Sequence, residues 1–316
     1  MKGLTDIAGL KVGHASDYEA LTGCTVVLCE KGAVAGVDIR GGATGTEEMD
    51  VMSPFHLTPH VHAVVLSGGS AFGLETAGGV RRFLEQKGVG FQTGAAVVPI
   101  VPCAILYDLA VGKANVRPTR ETGEAAAAAA HDGPVAEGCV GAGTGATVGK
   151  ALGMAHAMKS GIGSFTVELS GGVRVSALVA VNAWGDVVDP RNGRIVAGTR
   201  KSPASKEFAN SAALMKTRAA PPVPGRNTTL AVVATNARLN KVQAARLAQM
   251  GQQGLVRAIS PVHTSVDGDL CIGLSAGALE ARPDALGVAA AEAVAEAILR
   301  AVRLAKTLGG VPGLAG

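Results

Sequence analysis

Apolar positions in this chain alternate in short runs, shift to helical spacing, and alternate again. Thr25-Val26-Val27-Leu28 and Ala33-Val34-Ala35-Gly36-Val37 predict two strands joined by a turn at Glu30-Lys31-Gly32. A strand over 62–66 should run through Ser67-Gly68-Gly69-Ser70 into an amphipathic helix ending near Lys87. Residues 121–131 include six consecutive alanines and are helical on propensity, packed closely against a neighbour. The pattern then predicts a strand over 173–182 and a helix over 204–216, capped by Ser202 with Pro203 in its first turn. A strand over 229–235, a helix over 241–249 capped by Asn240, a strand over 270–275 and a helix over 283–305 complete the reading. There is no internal repeat and no strict βαβ rhythm. One α/β domain over 1–316 is the simplest organisation.

One junction stands out from this pattern. The proline-rich run Pro221-Pro222-Val223-Pro224-Gly225-Arg226 is followed by Asn227-Thr228-Thr229 and then by the apolar run Leu230-Ala231-Val232-Val233-Ala234. A linker thus delivers a threonine to the start of a buried strand. Were the Asn227–Thr228 bond cut, Thr228 would carry both a hydroxyl and a free α-amine. That pairing of nucleophile and base activates a weak alcohol.

Composition narrows the classes. The chain is 47% apolar and 17% charged, which is globular and not disordered. A net charge of +4, no basic run and only 3% aromatics argue against nucleic-acid binding. The 44 glycines are about twice the ordinary share and allow close backbone approach. Five scattered cysteines without a Cys-x-x-Cys suit a reducing compartment. The first residues lack the apolar core of a signal peptide, and the longest apolar run is too short to span a bilayer. The expectation is a soluble, cytoplasmic protein with no membrane partner.

Several motifs fail on inspection. Gly143-Thr144-Gly145-Ala146-Thr147-Val148-Gly149-Lys150-Ala151 resembles a phosphate loop but has threonine at the first glycine position and alanine at the metal-binding hydroxyl position. Lys150 beside a glycine-rich turn is still placed to bring an ammonium near a bound carbonyl. Ser67-Gly68-Gly69-Ser70 is not a nucleophile elbow, because the second glycine is displaced to Gly73. His56, His60 and His62 are separated by Pro59 and preceded by Pro54, which breaks the helix that would align a metal site. Cys103 reads as a structural thiol. Asp267-Gly268-Asp269, before the strand at 270, reads either as a turn or as a carboxylate pair serving Thr228.

The ordered set of motifs resembles the L-aminopeptidase/D-esterase (DmpA-type) family, nearest its nylon-oligomer (6-aminohexanoate oligomer) endohydrolase branch. The residues that carry the resemblance are Val12-Gly13-His14, Thr22-Gly23-Cys24-Thr25-Val26, Arg40-Gly41-Gly42, residues 66–74, residues 104–108, Arg226-Asn227-Thr228-Thr229-Leu230 with residues 232–236, Pro261-Val262-His263-Thr264 and Asp267-Gly268-Asp269. They span nearly the whole chain. The resemblance implies a four-layer αββα sandwich similar to Ntn hydrolases but with different connectivity. It also implies a precursor that cuts itself into 1–227 and 228–316, which stay associated. Carried over, Thr228 matches the nucleophile and Asn227 the residue before the scissile bond. Asp267 and Asp269 match an acidic pair, Lys150 a pocket lysine, Asn182 an oxyanion-hole amide, and Tyr107 a pocket tyrosine. Aspartate at 267, where aminopeptidase members often have serine, favours the oligoamide-hydrolase branch.

The implied activity is hydrolysis of amide bonds in short peptides or linear oligoamides, without metal or cofactor, by a homo-oligomer (a tetramer in the family). Aminopeptidase, D-esterase or β-peptidyl aminopeptidase activity is the alternative within the family. Acyl transfer of the ornithine acetyltransferase kind, or an uncleaved small-molecule-binding domain, is the alternative outside it.

Overall fold

The computed structural model describes residues 1–217 and 227–316; the proline-rich run expected as a linker, 221–226, lies outside the described residues. Strands β1 (Lys11–Asp17), β2 (Thr22–Ile39), β3 (Val61–Ser67) and β4 (Cys103–Ile105) make one sheet, edged by Thr46–Glu47. Strands β5 (Ile162–Glu168), β6 (Arg174–Asn182), β7 (Thr228–Ala237) and β8 (Leu270–Leu279) make the other. The long β2 belongs to both. Its first half pairs with β1 and β3, and its second half pairs antiparallel with β8. The hydrogen-bonded order is β5-β6-β7-β8-β2-β3-β4. Helices α1 (Thr76–Gln86) and α2 (Arg120–Ala128) lie on the first sheet, and α4 (Lys241–Ala258) and α5 (Pro283–Arg303) on the second. The short α3 (Ser211–Thr217) precedes the undescribed run.

Alternation along the strands sorts side chains into three apolar layers. In β6, Val175, Ala177, Val179 and Val181 face α4 and α5, whereas Leu178 and Ala180 face the first sheet. In β7, Ala231 and Val233 face the helices, and Leu230, Val232 and Ala234 face inward. Val27, Val64, Leu66 and Ala104 close the layer between the sheets from the other side. Val26, Leu28, Ala63 and Val65 pack on α1 and α2. The result is the αββα sandwich. Burial of each large apolar side chain stabilises it by about 1.5–3 kcal/mol. The glycine content has a local cause here. A Cβ on Gly163 would lie 1.9 Å from the Ala297 carbonyl oxygen, and one on Gly36 would lie 2.1 Å from the Ala245 nitrogen. Helix backbone rests directly on strand backbone at both places, and only glycine permits it.

Three elements differ from the sequence expectation. The two strands expected around a turn at 30–32 are one strand of 18 residues. Gly32, at φ 83°, shifts the register without reversing the chain, because each half has its own partner strand. The helix expected over 204–216 is helical only from Ser211. Lys201 N–H donates to the Glu207 carbonyl at 2.9 Å and Ala209 N–H to the Thr199 carbonyl at 2.8 Å, so this segment folds back as a loop. Buried Asp186 then receives the Ser211 N–H and hydroxyl, each at 2.6 Å, and fixes where the helix starts. Finally, α4 has the expected Asn240 cap but runs on to Ala258, because Gly251 and Gly254 face Cys271 and Val294 at tight helix contacts. No helix among the described residues is long and apolar enough to cross a membrane.

Candidate active site

Three strand ends meet at one point. Asn182, the last residue of β6, lies opposite Thr228, the first of β7. Strand β8 runs parallel to β7 with Leu270 beside Leu230, so residues 267–269 arrive next to Thr228. Thr228 is 2% exposed although it follows a proline-rich run. Its hydroxyl donates to the carbonyl oxygen of Asn227. Asn227 forms a parallel bridge with Asp267; its carbonyl accepts the Gly268 N–H at 2.9 Å, and its side-chain amide donates to the Val266 carbonyl at 3.2 Å.

The two carboxylates are buried and have distinct tasks. Asp269 Oδ1 accepts the Thr229 N–H at 2.7 Å, and its Oδ2 accepts the His263 N–H at 3.0 Å and lies 3.1 Å from His263 Nδ1. Asp267 Oδ1 accepts the Trp184 N–H at 3.1 Å, and its Oδ2 accepts the Thr264 hydroxyl. The pair therefore holds the backbone around the threonine, while the Thr228 hydroxyl itself is turned to Asn227. Burial, reinforced by the Asp269 charge, raises the Asp267 carboxyl to about 6.

Lys150 follows the short strand Thr147–Val148 and reaches the end of β6. Its Nζ donates to the Asn182 backbone carbonyl at 3.0 Å and to Asn182 Oδ1 at 2.8 Å. The Thr147 N–H donates to the same Oδ1 at 3.1 Å, and Asn182 Nδ2 donates to the Tyr107 carbonyl at 2.8 Å. Donors from Thr147 and Lys150 on Oδ1 fix which way the amide faces, and Nδ2 carries a second N–H that could meet an oxyanion. Burial lowers the Lys150 ammonium to about 7 against the opposing pull of Asp267, Asp108 and Asp269. An amine poised there can take a proton near neutral pH.

The structure thus brings Asn227, Thr228, Asp267, Asp269, Lys150 and Asn182 together, with Tyr107 joined through its main chain. Sequence reasoning did not single out Thr147, Asp108, His263, Thr264 or Gly268. Asp108 accepts the Thr22 hydroxyl at 2.6 Å and the Gly69 N–H at 2.8 Å, anchoring the loop that carries Tyr107. His263 has φ 56°, a strained conformation for a non-glycine residue. All five sit inside the motifs that carry the family resemblance or the phosphate-loop look-alike, and that placement was the available signal. His62 has a structural task, its Nδ1 accepting the Ile100 N–H at 3.2 Å. Cys103 is buried, and its thiol is pushed well above the ordinary range by desolvation.

Comparison with known proteins identifies the family and the fold. The model of peptidase family S58 matches residues 2–315. An uncharacterized aminopeptidase of Mycobacterium leprae is 39% identical over 99% of this chain and 93% of its own length. The 6-aminohexanoate-oligomer endohydrolase of Kocuria sp. is 32% identical over 94% of this chain and 85% of its own. Among solved structures, the L-aminopeptidase D-Ala-esterase/amidase of Ochrobactrum anthropi, described as a variant of the Ntn hydrolase fold, superposes with a TM-score of 0.72 at 21% identity. That match covers 98% of this chain and 88% of the other and concerns the fold.

Proposed function

The chain belongs to peptidase family S58, and we propose that it is a self-processing amide hydrolase whose nucleophile is Thr228. The observation that carries this reading is the Thr228 hydroxyl resting on the Asn227 carbonyl at a buried strand start, between the acidic pair and the Lys150–Asn182 pair. In the precursor, Thr228 Oγ adds to the Asn227 carbonyl carbon, the 227–228 bond breaks, and the hydroxyl proton passes to the departing nitrogen. Water then releases the ester and leaves Asn227 as a carboxylate. The freed amine titrates near 7.7–8.0 when unperturbed, so about a tenth or more of it is neutral at pH 7 and able to take the hydroxyl proton in turnover. Lys150 assists as a second base or by holding the amine neutral. The second N–H of Asn182 meets the oxyanion, a contact typically worth about 3–4 kcal/mol.

The substrate class is a short peptide or linear oligoamide. Asp267, where aminopeptidase members of the family often have serine, supports the oligoamide reading, as does the likeness to the Kocuria endohydrolase. The likeness to the mycobacterial aminopeptidase supports an exopeptidase instead. Amides with free and blocked N-termini separate the two: an aminopeptidase requires the free amine, and an endohydrolase does not. Processing is tested by intact mass and a denaturing gel, with pieces of about 23 and about 9 kDa expected. A Thr228→Ala protein that still splits after Asn227 rules out the proposal. Light scattering checks the tetramer that the family implies.

A further inference from the structure

We infer that the Gly268 N–H is the oxyanion donor for self-cleavage, a task separate from that of Asn182 in turnover; this rests on the self-processing reading above. The scissile carbonyl oxygen has two described partners. One is the attacking hydroxyl, which donates to it, and the other is the Gly268 N–H at 2.9 Å. The Asn182 amide is not one of them: its Nδ2 donates to the Tyr107 carbonyl, and its Oδ1 accepts from Thr147 and Lys150. When Oγ bonds to the carbonyl carbon, negative charge collects on the oxygen that Gly268 already holds.

The donor is held from every side. The Asp267 carbonyl accepts the Ala43 N–H at 2.8 Å, and the Asp269 carbonyl accepts the N–H groups of Arg40 and Gly41, each at 3.0 Å. Their side chains are tied to Trp184, Thr264, Thr229 and His263. The peptide between 267 and 268 therefore has its direction fixed before the reaction starts, which is what an oxyanion donor requires. The absence of a side chain at 268 has the same origin. A Cβ there would lie 2.7 Å from Thr228 Oγ1 and 2.7 Å from the Ala43 carbonyl oxygen. Glycine lets the N–H and the nucleophile share one carbonyl.

The test is an amide-to-ester exchange. Precursor made by cell-free translation with glycolic acid in place of Gly268 has an oxygen where the N–H was. Appearance of the 228–316 fragment is followed on a gel, beside wild type, Thr228→Ala and an ester at Val266. The expected result is cleavage slowed by about 10²–10³-fold by the ester at 268 and little changed by the ester at 266. Gly268→Ala keeps the donor but forces it and Thr228 apart, so it too should cut slowly while melting within a few degrees of Thr228→Ala. Cleavage at the wild-type rate in either the 268 ester or a folded Gly268→Ala overturns the inference. Cleavage that persists in Thr228→Ala instead overturns the self-processing reading beneath it.

Discussion

Two adjoining stretches of strand β7 are built on opposite principles. From Leu230 to Ala234 every side chain is apolar and lies in one of two packed layers. At Thr228 and Thr229 the contacts are polar, directional and singular: one hydroxyl on one carbonyl, and one N–H on one carboxylate oxygen. The apolar stretch draws its stability from many weak contacts, none of them decisive. The polar end has no such redundancy, and loss of one partner leaves a buried group unsatisfied. The comparison teaches where this molecule tolerates change in structure and where it tolerates change in chemistry.

Substitutions at four positions probe that contrast, ranked by expected effect on turnover. Thr228→Ala should abolish both the cut after Asn227 and amide hydrolysis, read by intact mass and substrate release, while the apolar layers keep the protein folded. Asn182→Ala should lower kcat by about 10²–10³-fold, as loss of one oxyanion donor does elsewhere. Lys150→Met should cost on the order of 10²-fold and flatten the pH profile. The sign follows from the depressed ammonium. Below about 7 Lys150 is charged and cannot accept a proton, and above it the amine is neutral, so wild-type activity should rise through that range. Lys150→Arg should behave like Met, because guanidinium stays charged throughout. The same depression makes stability fully present above the ordinary value of 10.5 and lost as pH falls through about 7. Melting temperature against pH should show less of that loss in Lys150→Met. Last comes Leu178→Ala, between the sheets. It should reduce unfolding free energy by about 2–5 kcal/mol and change kcat less than about threefold, measured well below the melting temperature.

The same division explains what the sequence made legible. Hydrophobic pattern located β6, β7 and β8 because these strands are buried on both faces and read as apolar runs bounded by polar breaks. It also placed Thr228 at a strand start, since the break in pattern after Arg226 is local. It misjudged residues 22–39, where the choice between turning back and bending depends on β8, more than two hundred residues downstream. It misjudged 204–210 for a similar reason: the loop is held by contacts with residues 199 and 201, which outweigh helix propensity. At the site, residue identities were readable through the family motifs, but contacts were not. That Asp269 grips the Thr229 N–H, and that Gly268 holds the Asn227 carbonyl, depend on how strands distant in sequence are set side by side.

The sheet order has one more consequence. Strands β7 and β8, both in the piece 228–316, sit between β6 and β2 of the piece 1–227, hydrogen-bonded on each flank. A cut at 227 would free two chain ends without freeing a subunit. Departure of the smaller piece would require two ladders to open at once and two of the three apolar layers to be disturbed, so the pair should behave under dilution as one molecule. Activity per molecule should then be independent of concentration down to the nanomolar range, where an ordinary heterodimer held by a surface patch would begin to separate.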